Sequence, residues 1–168
     1  PAGYTLLNCA SVDSRGISLP CNPAGTDVTV EGDMVYAGGN DVTIGEKSDG
    51  SSWRVGVQMP SSLSDSTLAV LELNGSHAIV TSGDYQRYYE VNGERYAHII
   101  DPLTLYPPRH FRAVTVVCDD SAAADCISTT PFTLTYEEGL AYLSTLEEQG
   151  IHAQALWVFD DSETIPQS

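Results

Sequence analysis

One turn signal limits how the middle of this chain can fold. The pair Asn92-Gly93 separates two runs that are rich in apolar and aromatic residues, Ile79 to Val91 and Glu94 to Ile100. A two-residue type I′ turn needs positive φ at both central residues, and Asn-Gly adopts that conformation at little cost. We therefore predict that the two runs pair as antiparallel strands.

The predicted hairpin would gather polar groups that are far apart in the sequence. Hydroxyls, a glycine and a carboxylate occur in its first strand, and an imidazole and a second carboxylate occur at the end of its second strand. Together these groups would form a polar site at one edge of a sheet. They belong to Thr81, Ser82, Gly83, Asp84, His98 and Asp101.

The charge balance excludes two classes of partner. The 168 residues include 23 Asp and Glu but only 7 Lys and Arg, which gives a formal net charge of −16 at pH 7. A chain this acidic lacks the cations that replace the counterions of nucleic-acid phosphates or of an anionic membrane surface. No apolar run approaches the roughly 20 residues of a membrane helix. We expect no nucleic-acid partner and no transmembrane segment on this chain.

The four cysteines fit no zinc-binding pattern. They allow three pairings if all four are bridged. A Cys9–Cys21 bridge would tie the N-terminal segment to itself, and a Cys118–Cys126 bridge would tie a strand end to the following helix. Buried free thiols are also common, so that bridged and free forms both stay open.

Short apolar runs bounded by turn residues predict most of the strands. A second Asn-Gly pair, Asn74-Gly75, predicts another hairpin, so that successive strands would form an antiparallel meander. The predicted strands are Thr26 to Val30, Asp33 to Ala37, Trp53 to Gln58, Leu68 to Leu73, His77 to Thr81, Ala113 to Cys118 and Ala153 to Phe159.

Two helices are predicted before the last strand. The acceptors at Asp119 to Ser121 would cap the first helix, and Pro131 should end or kink it. A capping box at Thr135 to Glu138 begins the second helix, and Gly150 supplies its stop. The apolar stripe of the second helix would consist of Tyr136, Leu140, Leu143 and Leu146.

These elements indicate the α+β class, with a largely antiparallel sheet covered on one face by the two helices. A chain of this length can bury roughly 70% of its unfolded surface, which suits one domain. We expect a single domain over residues 1–168. Within it, residues 1–32 would form an N-terminal segment and residues 160–168 a loose polar tail.

Three motifs, in this order, resemble the ApbE family of FAD:protein FMN transferases. They read TSGDYQR at Thr81 to Arg87, YAHIIDP at Tyr96 to Pro102, and ADCIST at Ala124 to Thr129. The glycine pair in Gly38 to Asp41, ahead of the strand WRVGVQ, is similar to a Gly-Gly segment of the family. The resemblance covers about Asp33 to Phe159 and corresponds to the C-terminal part of the family pattern, with residues 1–32 resembling it only weakly.

The resemblance implies a Mg²⁺-dependent transfer of the FMN part of FAD to a threonine or serine hydroxyl of a target flavoprotein, with release of AMP. In such phosphoryl transfer the protein mainly positions the reactants, and the metal neutralises charge. Asp125 and Thr129 match the positions of metal ligands, and they lie four residues apart on one helix. His98 matches a position at the flavin diphosphate or the transfer centre, where an imidazole can accept the hydroxyl proton. The implied cofactor-binding residues are Gly38, Gly39, Thr81, Ser82, Gly83, Tyr96, His98 and Asp101.

Members of this family commonly lie outside the cytoplasmic membrane as lipoproteins, and the low lysine content of this chain favours the same extracytoplasmic location. The glycine-rich and lysine-containing segment that completes the flavin site in the family is not within these 168 residues. Leu105 also stands where the family has a glycine, and a positive φ there would cost on the order of 1 kcal/mol.

Other functions stay open at this stage. One is a non-catalytic ApbE-like module that binds a flavin or a protein, and another is a FAD pyrophosphatase in which water replaces the acceptor. A serine hydrolase built from Ser82, His98 and Asp101 lacks support, because the chain has no Gly-x-Ser-x-Gly elbow. Asp125 and Thr129 also have an ordinary structural interpretation as an exposed helix carboxylate and a threonine that bonds back to the chain.

Overall fold

The computed structural model describes residues 11–12, 18–19, 33–37, 40–60, 66–85 and 87–159. In chain order the elements are β1 (Ser11–Val12), β2 (Ser18–Leu19), β3 (Asp33–Ala37), β4 (Asn40–Ile44), β5 (Trp53–Gln58), β6 (Thr67–Leu73), β7 (His77–Gly83), β8 (Tyr88–Val91), β9 (Glu94–Ala97), β10 (Phe111–Cys118), α1 (Ser121–Thr133), α2 (Tyr136–Glu148) and β11 (Ala153–Phe159).

The largest sheet has the strand order β11-β10-β7-β4-β3-β1-β2, and all its neighbouring strands are antiparallel. Helix α1 packs on β10, β7 and β4, while α2 packs on β11 and on α1. The predicted α+β class, with an antiparallel sheet and two helices, is confirmed. Two further pairs, β5–β6 and β8–β9, form small sheets of their own.

The core lies between α1 and the centre of the large sheet. Val80 of β7 faces Val116 of β10, and both side chains are buried. Phe132 of α1 is completely buried in the same cluster, together with Ile127. Because side chains alternate along a strand, Ser82 lies on the same helix-facing side of β7 as Val80.

The turn at Asn92-Gly93 is confirmed, but its hairpin is shorter than predicted. Asn92 and Gly93 have φ of 54° and 81°, and only Tyr88–Val91 and Glu94–Ala97 pair across them. The segment from Thr81 to Gly83 instead belongs to β7, which pairs with β10. A strand buried on both faces needs hydrogen-bonded neighbours on both edges, and the exposed β8–β9 hairpin cannot supply them.

The second predicted hairpin is wrong. Gly75 does form a turn with φ of 83°, but β6 pairs with β5 while β7 enters the large sheet. The Thr43 hydroxyl donates a hydrogen bond to the Gly75 carbonyl at 2.9 Å and accepts one from the His77 amide at 2.9 Å. These bonds attach the turn to β4, so that the chain changes sheets at this point.

The first helix is capped as predicted, but it does not end at Pro131. The Asp120 carboxylate accepts a hydrogen bond from the Ala123 amide at 2.8 Å. The helix continues through Pro131 to Thr133, because few backbone hydrogen bonds remain to be lost so close to its end. The buried Pro131 side chain lies close to α2. A Cβ added at Gly139 of α2 would be 3.5 Å from the Pro131 Cβ.

The second helix has both predicted ends. Thr135 and Glu138 form the capping box. At the other end the Gly150 amide donates to the Glu147 carbonyl at 3.0 Å and the Ile151 amide to the Leu146 carbonyl at 2.9 Å, which is a Schellman arrangement around a residue with positive φ. Of the predicted apolar stripe, Leu140 is exposed. The other three members, Tyr136, Leu143 and Leu146, pack on the core.

Cys118 is buried, Cys126 is exposed, and both are free, so that they form no bridge. Cys9, Cys21, the predicted strand Thr26 to Val30 and the tail 160–168 lie outside the described residues. Neither α1 nor α2, the helices of the described part, has the length and apolar character to span a membrane.

Candidate active site

Two of the three motifs meet where β7 passes under α1. The Ser82 hydroxyl lies 3.0 Å from the Ser128 hydroxyl and 3.5 Å from that of Thr129. Ser82 and Ser128 are buried, whereas Thr129 is exposed. The three hydroxyls therefore form a row from the core towards solvent. They connect the TSG segment to the ADCIST segment.

Asp125 lies one helical turn before Thr129 on the same side of α1. The Asp125 carbonyl accepts a hydrogen bond from the Ser128 hydroxyl at 3.1 Å and a longer, weaker one from the Thr129 hydroxyl at 3.5 Å. The residue itself is exposed. A carboxylate and hydroxyl oxygens at this position are the ligand types that a hard divalent cation prefers.

Ser128 is the site residue that sequence reasoning missed. It occupies a core-facing position of α1, together with Ala124, Ile127 and Pro131, at spacings of three and four residues. A serine among the apolar residues of a helix stripe was the available signal, because a buried hydroxyl needs a hydrogen-bond partner. Here the partner is Ser82.

Thr81 and Gly83 lie on the face of the sheet opposite Ser82. The Thr81 hydroxyl bonds to the buried Thr115 hydroxyl at 2.8 Å. A Cβ at Gly83 would lie 2.6 Å from the Tyr85 ring and 3.1 Å from the Arg112 carbonyl. The glycine therefore has a packing role in leaving room for the tyrosine, and the predicted contact with a ligand remains a prediction.

His98 and Tyr96 are held by contacts near the β8–β9 hairpin. The Nδ1 atom of His98 lies 3.2 Å from the Arg87 carbonyl, which also accepts from the His98 amide at 3.0 Å. The Tyr96 hydroxyl donates to Glu94 at 2.7 Å, and this bond raises the pKa of Tyr96. Within the described residues no hydrogen bond links His98 to Ser82, Asp125 or Thr129.

Asp101 organises the loop that follows this segment. Its carboxylate accepts from the Leu103 amide at 2.8 Å and from the Thr104 hydroxyl at 2.7 Å. Its carbonyl accepts from the Leu105 amide at 2.9 Å. Leu105 has φ of 62°, a left-handed conformation that costs a leucine on the order of 1 kcal/mol.

Comparison with known proteins decides what this site belongs to. The model of the ApbE family matches residues 26–154. This chain belongs to the ApbE family. Two of the predicted family positions, Gly38 and Gly39, lie outside the described residues.

Curated relatives carry the name FAD:protein FMN transferase. A protein of Klebsiella pneumoniae is 37% identical over 71% of this chain, which spans 36% of that relative. A relative from Escherichia coli is 39% identical over 57% of this chain, which spans 27% of that relative. A relative from Treponema pallidum is 33% identical over 76% of this chain, which spans 36% of that relative. The chain thus spans about a third of the length of these relatives.

Solved structures of the family share the fold. The ApbE protein of Thermotoga maritima has a TM-score of 0.62 and 35% identity, over 74% of this chain and 39% of the other. The apo form of the Pseudomonas stutzeri flavinyl transferase ApbE has a TM-score of 0.57 and 34% identity, over 79% of this chain and 39% of the other. The α+β architecture described above is therefore that of ApbE structures.

The side-chain oxygens around Asp125 are ligand types that a hard cation prefers. Asp125 offers a carboxylate and Thr129 a hydroxyl, and Ser82 adds a hydroxyl next to Thr129. Among the described residues no group of three or more His, Cys, Asp or Glu side chains could hold a metal ion. A metal bound here would consequently take several ligands from water and from substrate phosphates, as Mg²⁺ commonly does.

The Asp101 loop predicts a pH effect. The Leu103 amide, followed by the Thr104 hydroxyl, lowers the pKa of Asp101. A lowered folded-state pKa stabilises the loop above the unfolded-state pKa of about 3.9. We expect this stabilisation to be lost as the pH falls through the folded-state value, so that the protection factor of the Leu103 amide, its intrinsic exchange rate divided by the measured rate, decreases below pH 4. Hydrogen exchange followed by NMR measures this change.

The matched variants for the loop are Asp101→Ala and Asp49→Ala. Asp49 caps a different turn through Ser51, so that its replacement should leave the exchange of Leu103 unchanged. The Asp101→Ala chain should show a low protection factor for Leu103 at every pH. A protection factor in that variant as high as in the unaltered chain would refute the role of the carboxylate.

Asp41 in β4 predicts the opposite pH dependence. Burial raises its pKa, so that ionised Asp41 destabilises the folded chain as the pH rises through the folded-state value. Asp41→Asn should therefore raise the melting temperature at pH 7, and the gain should shrink as the pH approaches about 4. Because the side chain is partly exposed, solvent screening limits the gain to less than about 1 kcal/mol.

The control for Asp41→Asn is Glu46→Gln, which removes one negative charge from an exposed residue. Thermal unfolding of both variants at several pH values separates local burial from the general repulsion of an acidic chain. An equal gain in both variants would assign the effect to net charge alone.

Proposed function

We propose that this chain takes part in the transfer of FMN from FAD to a threonine or serine hydroxyl of a target protein. The observation that carries the proposal is the contact between Ser82 and the Ser128–Thr129 pair. It joins two family motifs into one hydroxyl-lined site beside Asp125. The names of the curated relatives support the reaction class.

In this proposal Asp125 and Thr129 would hold Mg²⁺ through their side-chain oxygens. A bound Mg²⁺ would neutralise charge on the diphosphate of FAD, which is the main chemical contribution of such a metal. Ser82 would limit the orientations open to the Thr129 hydroxyl, from which its own hydroxyl lies 3.5 Å away. Because Ser128 keeps Ser82 in place from the buried side, the hydroxyls of the site are positioned before substrate binds.

The proposed role of His98 is to accept the proton of the acceptor hydroxyl. An Nδ1–H that donates to the Arg87 carbonyl leaves Nε2 as the acceptor nitrogen. As the acceptor oxygen bonds to the phosphorus of the FMN moiety, the bond from that phosphorus to the AMP oxygen breaks. The products are an FMN phosphoester on the target and AMP, and the proton remains on His98 until solvent removes it.

The test uses the chain with FAD, Mg²⁺ and a flavoprotein domain that carries an acceptor threonine. In-gel flavin fluorescence on the acceptor, together with one AMP for each flavin attached, is the expected result. AMP release without acceptor would show a FAD pyrophosphatase instead. FAD binding with neither label nor AMP would indicate a non-catalytic module, and both of these results would overturn the transferase proposal.

We also propose an extracytoplasmic location for the natural protein. It rests on the acidic, lysine-poor composition and on the family resemblance. Fractionation of cells that produce the protein should place it outside the cytoplasm. Recovery in the cytoplasmic fraction alone would contradict this part of the proposal.

A further inference from the structure

A polar cavity of about 290 Å³ lies beyond the end of β7, and its lining does not include Ser82, Ser128 or Thr129. Its walls come from β9, the start of β10 and the loop that precedes β10. Three arginines line it, Arg95, Arg109 and Arg112. Since the whole sequence has only seven Lys and Arg, this is a marked concentration of positive charge in a chain of net charge −16.

All three arginines have carboxylate partners, and two of them, Arg95 and Arg112, share Asp84. The Arg112 Nε lies 3.1 Å from an Asp84 oxygen, and its Nη2 donates to the Pro60 carbonyl at 3.2 Å. Arg109 pairs with Glu94. The cavity therefore contains three guanidinium groups and two carboxylates, which leaves an excess of one positive charge.

Arg95 is the least closely paired of the three arginines. Its guanidinium lies over the Tyr88 ring at 4.2 Å from the ring centroid, and its side chain is 24% exposed. Its Nη1 atom is buried and has no hydrogen-bond partner among the residues that the structure describes. The nearest carboxylate oxygen in its ion pair, on Asp84, is 3.9 Å away, which is too far for a hydrogen bond.

Buried side-chain donors are normally satisfied by protein groups or by ordered water, so that a donor without a protein partner leaves a place for a polar atom that binds there. A stacked guanidinium is held in one plane, and its fork of N–H groups matches the two oxygens of a phosphate or carboxylate. The cavity also offers the Arg112 and Arg109 groups nearby. All these features suit a small oxyanion.

We propose that this cavity binds an oxyanion, the phosphate or carboxylate group of a ligand, through the guanidinium of Arg95. The site does not include Ser82, Asp125 or Thr129, and it requires neither a metal nor a flavin. It adds a binding function that the proposed transfer reaction does not use.

The test is a titration of the chain with inorganic phosphate at constant ionic strength, followed by NMR of the arginine Nε–H signals. We expect a saturable shift of the Arg95 signal. Arg95→Gln should bind phosphate at least tenfold more weakly. Arg54→Gln should bind as the unaltered chain does, because Arg54 is exposed and pairs with Glu72 outside the cavity.

A parallel titration with acetate distinguishes the two sources of the oxyanion. Saturable binding of phosphate alone assigns a phosphate ligand, and saturable binding of acetate alone assigns a carboxylate ligand. No saturable shift of Arg95 with either anion, or equal shifts of all arginine signals, would overturn the proposal. So would unchanged affinity in a folded Arg95→Gln chain. No FAD, metal or acceptor is present, so that this result is independent of flavin transfer.

Discussion

Replacing Asp125 by asparagine is expected to lower the rate of flavin transfer at least about 100-fold. The neutral amide is a poorer ligand for a hard cation than the carboxylate it replaces. Asp125 is exposed, so that the variant should keep its fold and its melting temperature. The rate is measured as flavin fluorescence on the acceptor at fixed FAD and Mg²⁺.

The control for Asp125→Asn is Glu148→Gln, which removes a carboxylate from the exposed end of α2. Its transfer rate should equal that of the unaltered chain. Raising the Mg²⁺ concentration should restore part of the activity of Asp125→Asn if the metal is bound more weakly. Transfer within threefold of the unaltered chain at low Mg²⁺ would contradict a metal-binding role for Asp125.

Replacing Phe132 by alanine should have the largest effect on stability. Phe132 is 0% exposed and lies in the cluster between α1 and the sheet. Loss of its ring removes buried apolar area and leaves a cavity, which together lower the free energy of unfolding by about 3–5 kcal/mol. Urea denaturation followed by circular dichroism measures this loss.

Leu103→Ala provides the matched control for Phe132→Ala. The Leu103 side chain is 90% exposed in the loop after β9, so that its truncation should change the free energy of unfolding by less than about 0.5 kcal/mol. A loss below about 1.5 kcal/mol for Phe132→Ala would mean that α1 packs on the sheet less tightly than described.

Features with local causes could be predicted from the sequence. Asn92-Gly93 forms its turn because both residues accept positive φ, whatever the rest of the chain does. The capping box at Thr135 and the stop at Gly150 depend on hydrogen bonds within a few residues.

Features that depend on distant partners could not be predicted. The pairing of β7 with β4 and β10 joins residues that are 30 to 40 positions apart, and the turn at Gly75 gave no sign that the chain changes sheets there. The hairpin predicted at Asn92-Gly93 put Thr81 and Ser82 beside the segment from Glu94 to Ile100, whereas they pair with β10. Burial of β7 on both faces, which a sequence run cannot distinguish from burial on one, decided the pairing.

The candidate site also combines a local feature that could be predicted with a long-range contact that could not. The spacing of Asp125 and Thr129 on one helix followed from the sequence, because four residues make about one turn. The contact of Ser82 with Ser128 and Thr129 depends on how α1 lies across β7, and no local pattern contains that information. The alternation along β7 then explains why Ser82, and not Thr81, faces the helix.

In the proposed reaction Asp125 and Thr129 would hold a divalent cation beside Ser82. The most direct test replaces Mg²⁺ by Mn²⁺ and measures the paramagnetic broadening of backbone amide signals by NMR, with and without FAD. The account predicts the strongest broadening at Ser82 and from Asp125 to Thr129, and its loss in Asp125→Asn. Broadening centred on other carboxylates, with the Asp125 and Thr129 signals unaffected, would contradict it.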